Sequence, residues 1–160
     1  MNVDVPPPLI DCARVLRYAS VDDSVRYTPQ EKLIVDGVEM GAVPRLAVVR
    51  NLVDDSVMLL HCDEAWNSLA VSGGDSIDDV TAYANHRYEG LAGKWNDAPY
   101  SDADYARAVC DEHGNDRCSF CARFSFEIDA LMIQGNRAKI CGDCVYRLHS
   151  IFAENAETQL

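Results

Sequence analysis

The chain has 160 residues, 48% of them hydrophobic and 25% charged, a make-up that fits a folded protein and excludes global disorder. Its net charge of -12 disfavours direct binding to a nucleic-acid backbone, and no stretch approaches the ~18 consecutive apolar residues that cross a bilayer. Residues 1–114 hold 20 Asp/Glu against 9 Lys/Arg and residues 115–160 hold 6 against 5, so the acid belongs to the first part.

Residues 1–12 include three consecutive prolines, Pro6, Pro7 and Pro8, which remove amide donors and favour extended chain. They read as a flexible Pro-rich arm without the basic-then-apolar order of a secretory leader. Residues 13–114 follow as an acidic α+β domain. Short β-branched runs cover 13–18, 32–35, 46–51, 56–62 and 66–72, with turn chemistry at Asp36-Gly37, Asp54-Asp55 and Asp63-Glu64. These spacings predict an antiparallel β-meander. Ser76 offers an N-cap with Asp78 and Asp79 in the first turn, and Ile77, Val80, Ala84 and Tyr88 follow at helical spacing as one main helix. Gly90 and Gly93 end it, residues 96–100 read as loop, and Ser101 caps a short helix through Cys110 that stops by Gly114. Neither a GxxxxGK[ST] loop nor GxGxxG occurs, and Gly73-Gly74 lacks the basic residue of a phosphate cradle, so ATP chemistry is not expected.

Residues 115–154 form the second part, ahead of a tail at 155–160. Cys118, Cys121, Cys141 and Cys144 give C-x2-C-x19-C-x2-C, two pairs able to place four thiolates around one Zn2+ ion. An iron site or a redox pair is the other reading of such pairs. All seven cysteines, an odd number, fit reduced thiols better than a disulfide scaffold, and a cytoplasmic protein is expected. Phe124, Phe126 and Ile128 alternate like a strand, residues 134–136 form a turn, and 138–140 lead back to the third ligand. Asp143 then starts a helix with an apolar stripe of Val145, Leu148, Ile151 and Phe152, ending near residue 154. Knuckle, hairpin and ligand-bearing helix make a small treble-clef zinc finger. Four sulfurs leave no position for an activated water, so such a zinc is structural, its negative shell offset by Arg117, Arg123, Lys139 and Arg147.

The stretch 117–153, with its Cys-Ser-Phe-Cys knuckle and Ile-Cys-Gly-Asp-Cys-Val second pair, resembles the ClpX-type C4 zinc finger. That resemblance implies a dimerising module that binds protein substrates and adaptors, with the four cysteines as metal ligands. Ala122 stands where the family usually has glycine, and Gly142 where it often has an acidic residue. The resemblance excludes the ATPase engine, for which this sequence has no room.

Other chemistry-bearing residues have blander readings. His61, Cys62, Asp63 and Glu64 are adjacent, but strand alternation sends His61 and Asp63 to one face and Cys62 and Glu64 to the other. A sheet-end turn with Cys62 as a small buried hydrophobe is favoured over a thiol nucleophile served by His61 or His86. Trp66 and Trp95 read as core or interface aromatics rather than a stacking platform. Cys110 and His113 break the ligand spacing, and His149 points away from the metal. The apolar stripe of the last helix either covers the hairpin or leaves Phe120, Leu131, Met132 and Phe152 exposed for a second copy, and the resemblance favours dimerisation.

The expected function is therefore non-enzymatic: an immunity-like inhibitor or adaptor that binds a protein partner, such as a basic toxin, a protease component or its substrate, through an acidic surface and forms a homodimer through the zinc module. A small cysteine/histidine enzyme and a nucleic-acid-associated zinc finger regulator are the alternatives.

Overall fold

Two apolar faces on alternating strands organise the first part of the chain. The computed structural model describes residues 4–28, 34–35, 37–114 and 116–157. Strands β1 (Leu9–Ile10), β2 (Ala13–Ser20), β3 (Arg26–Tyr27), β4 (Ile34–Val35), β5 (Val38–Glu39), β6 (Arg45–Asn51), β7 (Val57–Cys62) and β8 (Ser68–Gly74) precede helix α1 (Ile77–Arg87). After it come β9 (Tyr88–Glu89), β10 (Asn96–Asp97) and helix α2 (Asp102–His113). A 3-10 turn (Ser125–Glu127), β11 (Met132–Gln134), β12 (Lys139–Cys141) and α3 (Gly142–Glu157) complete the fold, which is α+β. The chain divides into two compact units, Met1–Ala108 and Val109–Leu160.

In the first unit the main sheet runs β1-β2-β6-β7-β8, with β10 added beside β2, and all its pairings are antiparallel. The expected meander is thus present over β6, β7 and β8. Leu46, Val48, Val57 and Leu59 face α1, where Val80 and Ala84 meet them together with Tyr88 and Leu91. The intervening Ala47, Val49, Leu60 and Cys62 face the other way and pack with Ile10, Val15 and Trp66. Period-two alternation on a sheet buried on both faces gives strands with few polar positions, and β6 is the example.

Ser76 caps α1 as expected: the Asp79 amide donates to Ser76 Oγ at 3.1 Å and the Ser76 hydroxyl donates back to the Asp79 carboxylate at 2.7 Å. Ser101 does the same for α2, its amide donating to the Asp104 carboxylate at 3.0 Å.

Three expectations need correction in this unit. The arm is not loose where it is described: Pro6 is fully buried, Leu9 and Ile10 are buried, and β1 pairs with β2. The stretch 96–100 is not all loop, because Asn96 and Asp97 pair with Tyr18 and Arg17. The run 32–35 does not join the meander; its described part, β4, forms a separate two-stranded ribbon with β5, while residues 32, 33 and Asp36 lie outside the described residues. Gly37 turns that ribbon with a φ of 80°, a conformation glycine adopts without Cβ strain.

The division between units falls inside α2, earlier than the boundary expected after residue 114. The helix is shared because Tyr105 donates its hydroxyl to the Val15 carbonyl in the first unit, while His113 packs 4.9 Å from the Phe126 ring in the second. In the second unit, Phe124 to Ile128 do not form the first arm of the hairpin. The Glu127 carboxylate accepts from the Phe124 amide at 2.6 Å and winds this stretch into the 3-10 turn. Residues Met132–Gln134 take the hairpin place instead, opposite Lys139–Cys141. Helix α3 continues to Glu157, past the end expected near residue 154 and into the stretch expected as tail.

Candidate metal centre

The first ligand pair sits on a turn that backbone geometry tightens. The Cys118 amide donates to the Arg123 carbonyl at 2.8 Å and the Ala122 amide to the Cys118 carbonyl at 2.9 Å, which carries Ala122 into the left-handed region at φ 61°. The knuckle is then zipped to β12: the Ser119 amide donates to the Lys139 carbonyl at 2.8 Å, and the Lys139 amide to Ser119 Oγ at 3.1 Å. The second pair arises where β12 ends in Cys141 and α3 begins. There the Gly142 amide donates to the Leu131 carbonyl at 2.9 Å, and a Cβ on Gly142 would lie 3.1 Å from that of Ala130. Glycine lets the helix start close against the loop.

These two devices bring the predicted ligands together. Cys118, Cys121, Cys141 and Cys144 place their sulfurs within 4.8 Å of one another. Cys118 Sγ lies 3.8 Å from Cys144 Sγ, and Cys121 Sγ lies 3.9 Å from Cys141 Sγ. A regular tetrahedron of thiolates about 2.3 Å from a central ion has edges of about 3.8 Å, whereas a disulfide needs about 2.05 Å. The spacing fits a shared metal ion, and all seven cysteines are free.

The polar surroundings fit a charged thiolate shell as well. The Phe120 and Cys141 amides donate to Cys118 Sγ at 3.4 and 3.5 Å. Burial pushes the Cys118 thiol up, but the backbone amides around it, of Cys121, Cys141 and Phe120, outweigh that and bring it down to about 6. The Arg123 guanidinium holds Cys121 below the ordinary thiol value, and its Nη2 lies 3.8 Å from Cys141 Sγ and 2.7 Å from the Asp143 carboxylate. Cys144 is pushed up to about 12, first by burial and then by the neighbouring thiols. Crowded thiols that oppose one another's ionisation are what a divalent cation stabilises.

Of the cations expected to offset the shell, Arg123 reaches it. Lys139 instead pairs with Asp116 at 2.6 Å, and that carboxylate also accepts from the Ser125 hydroxyl. Asp116 thereby ties the 3-10 turn to β12, a role with no periodic or spacing signal in the sequence. Cys110, His113 and His149 do not join the sulfur cluster. Phe120 and Leu131 are strongly exposed, as is Phe152, but Met132 packs against the buried Cys118, Ile128 and Cys141.

In the first unit, the run His61 to Glu64 does not assemble a reactive centre. Cys62 is completely buried and its thiol is pushed up to about 12, chiefly by that burial. His61 points to the opposite face, Nε2 lying 3.3 Å from Ser72 Oγ, and burial drags it down to about 4. Asp63 organises the following turn, accepting from the Ala65 amide at 2.8 Å, the Asn67 amide at 2.9 Å and the Asn67 side chain at 2.8 Å. That turn lets Trp66, at φ 68°, bury its ring edge-on to Tyr18 with the Arg45 guanidinium 5.0 Å from it. Trp95 is half-buried and donates Nε1–H to Asn85 at 2.9 Å. Among the described residues no helix is long and apolar enough to cross a membrane.

No protein-family model matches the chain, and searches of curated proteins and of solved structures also return no match.

Proposed function

We propose that this chain is a non-enzymatic interaction protein whose C-terminal unit is a zinc finger of the ClpX type and whose N-terminal unit recognises a basic protein partner, as an immunity-like inhibitor or an adaptor does. The observation that carries the reading is the closed cluster of four sulfurs within 4.8 Å of one another. Four thiolates suit Zn2+, and with every coordination position filled by protein the ion organises the fold rather than activating water. Seven free cysteines suit a reducing, cytoplasmic setting.

The partner's chemistry follows from charge. The first unit has 18 Asp/Glu and 9 Lys/Arg, and Arg14, Arg17, Arg26, Arg45, Lys94 and Arg107 each already lie within 4 Å of a carboxylate. The surplus favours a basic surface and accelerates its approach. In the second unit, exposed Phe120, Leu131, Tyr146 and Phe152 support self-association.

Two measurements test this. Native mass spectrometry should find one zinc per chain. Quantitative capture from the native cell should yield a basic protein at fixed stoichiometry, released by high salt and lost when Asp54, Asp55, Asp75 and Asp78 are changed together to Asn. A chain that keeps all its bound proteins after that change refutes the charge-based part.

A hollow of about 610 Å³ in the second unit, lined by Arg117 and Arg137 beside the Asp116-paired Lys139, favours the nucleic-acid alternative. Salt-dependent binding of a short oligonucleotide, lost in Arg117→Ala/Arg137→Ala, would establish it.

A further inference from the structure

Strand β8 ends the main sheet: it pairs with β7 on one side and with no strand among the described residues on the other. Sheet edges in folded proteins are normally protected by charge, proline, a bulge or a covering element. Here residues 65–74 contain no charged residue and no proline, in a chain where 25% of residues are charged. Burial alternates along the seven residues of β8, and its register against β7 shifts at a bulge between the His61–Ala70 and Cys62–Ser68 pairs, which leaves Leu69 without a partner on β7. Ser68, Ala70 and Ser72 are half-buried, Ala70 and Ser72 lying level with His61 and Leu59 on the α1 side; Val71, level with Leu60, is 50% exposed on the opposite face, and Leu69, at the bulge, is 44% exposed. Beside them half-buried Met58 lies opposite Gly73, where an added Cβ would meet nothing within 4 Å. An unpaired backbone edge and an open apolar face therefore coincide on one strand.

Acid flanks both ends. Asp55, Asp75 and Asp78 line one hollow of about 520 Å³ with Gly74, where Arg50 is the single cation in the lining. At the other end Asp63 and Glu64 precede the strand, and Asp11 lines a hollow of about 310 Å³ with Trp66 and Ser68. A second copy paired antiparallel through β8 would bring Asp63 and Glu64 of one chain against Asp75 of the other, so repulsion opposes self-pairing.

We infer that β8 is the docking edge for an extended segment of a partner protein, with alternating apolar residues in its middle and basic residues at both ends, which adds to the sheet as a further strand. Main-chain hydrogen bonds would supply register, Leu69, Val71 and Met58 would accept the alternate apolar side chains, and the two acidic ends would select the charge. The inference rests on the reading of the first unit as a recogniser of basic protein.

The probe is the synthetic peptide Lys-Lys-Val-Thr-Val-Thr-Val-Lys-Lys, compared with the same peptide N-methylated at alternate backbone amides, both titrated into the full-length zinc-loaded chain and followed by NMR and amide exchange. The unmodified peptide should bind, shift the resonances of residues 68–74 and slow exchange of their outward amides, with at least a tenfold loss on N-methylation. Val71→Lys should abolish binding, and Val71→Thr, which keeps a β-branched side chain, should retain it; both melt normally because the site is half-exposed. Equal binding of the two peptides overturns strand addition while leaving charge recognition standing. Binding of neither overturns it too, and the wider reading then fails only if the Asp-to-Asn variant above keeps its partners. A β8-dependent dimer, dissociated by Val71→Lys, overturns the choice of occupant.

Discussion

Replacing Cys121 with Ser separates the metal's contribution from packing. Cys121 is the exposed member of the sulfur cluster, so the exchange of sulfur for oxygen removes one thiolate without opening a cavity, unlike the same change at buried Cys141. What remains to hold the second unit is small. Its buried cluster consists of Cys118, Ile128 and Cys141, and two of those three belong to the sulfur cluster. Full burial of Ile128 contributes about 2 kcal/mol and the half-buried Ala130, Met132 and Ile140 packed against it less each, whereas a structural zinc in a small finger contributes of order 10 kcal/mol of binding free energy that becomes folding free energy. The metal term exceeds the apolar term, so Cys121→Ser should release zinc and unfold Val109–Leu160 at room temperature. The first unit supplies an internal reference, because Leu46, Leu59, Val80 and Tyr88 form a core without any metal ligand. In an amide NMR spectrum, resonances of the second unit should collapse to unfolded positions while those of Met1–Ala108 stay dispersed. Retention of one zinc per chain with an intact second-unit spectrum would falsify the assignment of the cluster as the fold's organising element.

Three further outcomes follow from individual residues. His61 is neutral in the fold, with its ordinary value of 6.5 lowered to about 4 by burial, so the unfolded chain binds a proton first as pH falls. Stability is therefore full above pH 6.5 and declines toward pH 4 by of order 3 kcal/mol, a slope that chemical denaturation should find in the parent and lose in His61→Gln. Ala122→Gly should raise the thermal stability of the second unit by about 1 kcal/mol, since φ 61° costs an L-residue about that much; a lowered melt would show that the turn is not strained. Iodoacetamide at neutral pH should leave Cys62 unmodified in the native protein and label it on unfolding, as mass spectrometry of the tryptic peptides would record; rapid native labelling would instead revive the thiol-enzyme reading.

The parts of the fold that were legible in the sequence are those where one local rule decides. Short β-branched runs marked β6 and β7, the Ser76 cap marked α1, and cysteine spacing marked the sulfur cluster. Where side-chain chemistry competes with period, the pattern misled. Phe124, Phe126 and Ile128 alternate like a strand, yet the Glu127 carboxylate caps the turn and the two phenyl rings stack 5.3 Å apart. The proline-rich start looked detached because proline argues against regular structure, but tertiary burial of Pro6 overrides that. Edges are a property of sheet order, which no local window contains. Hence β8 read as one more strand, and its unpaired side emerged only from the topology.

Metal-centred folding also bears on how the second unit can act on other molecules. A protein stabilised by burial must place its large apolar side chains inside, whereas four thiolates around one ion fix the knuckle, β12 and the start of α3 with few such residues. Phe120, Leu131, Tyr146 and Phe152 are accordingly released from core duty, and Tyr146 is 79% exposed on a helix that has no buried residue among those described. Side chains of that size, unnecessary for the fold and left in water, cost solubility unless association covers them. With a metal ion held by the four sulfurs, the closed shell would leave no open position for catalysis at the metal, and the same stabilising chemistry would free the apolar surface for contact. In the proposed reading, recognition by charge falls to the first unit, whose two-faced sheet ends at β8 with no strand paired to its outer side among the described residues.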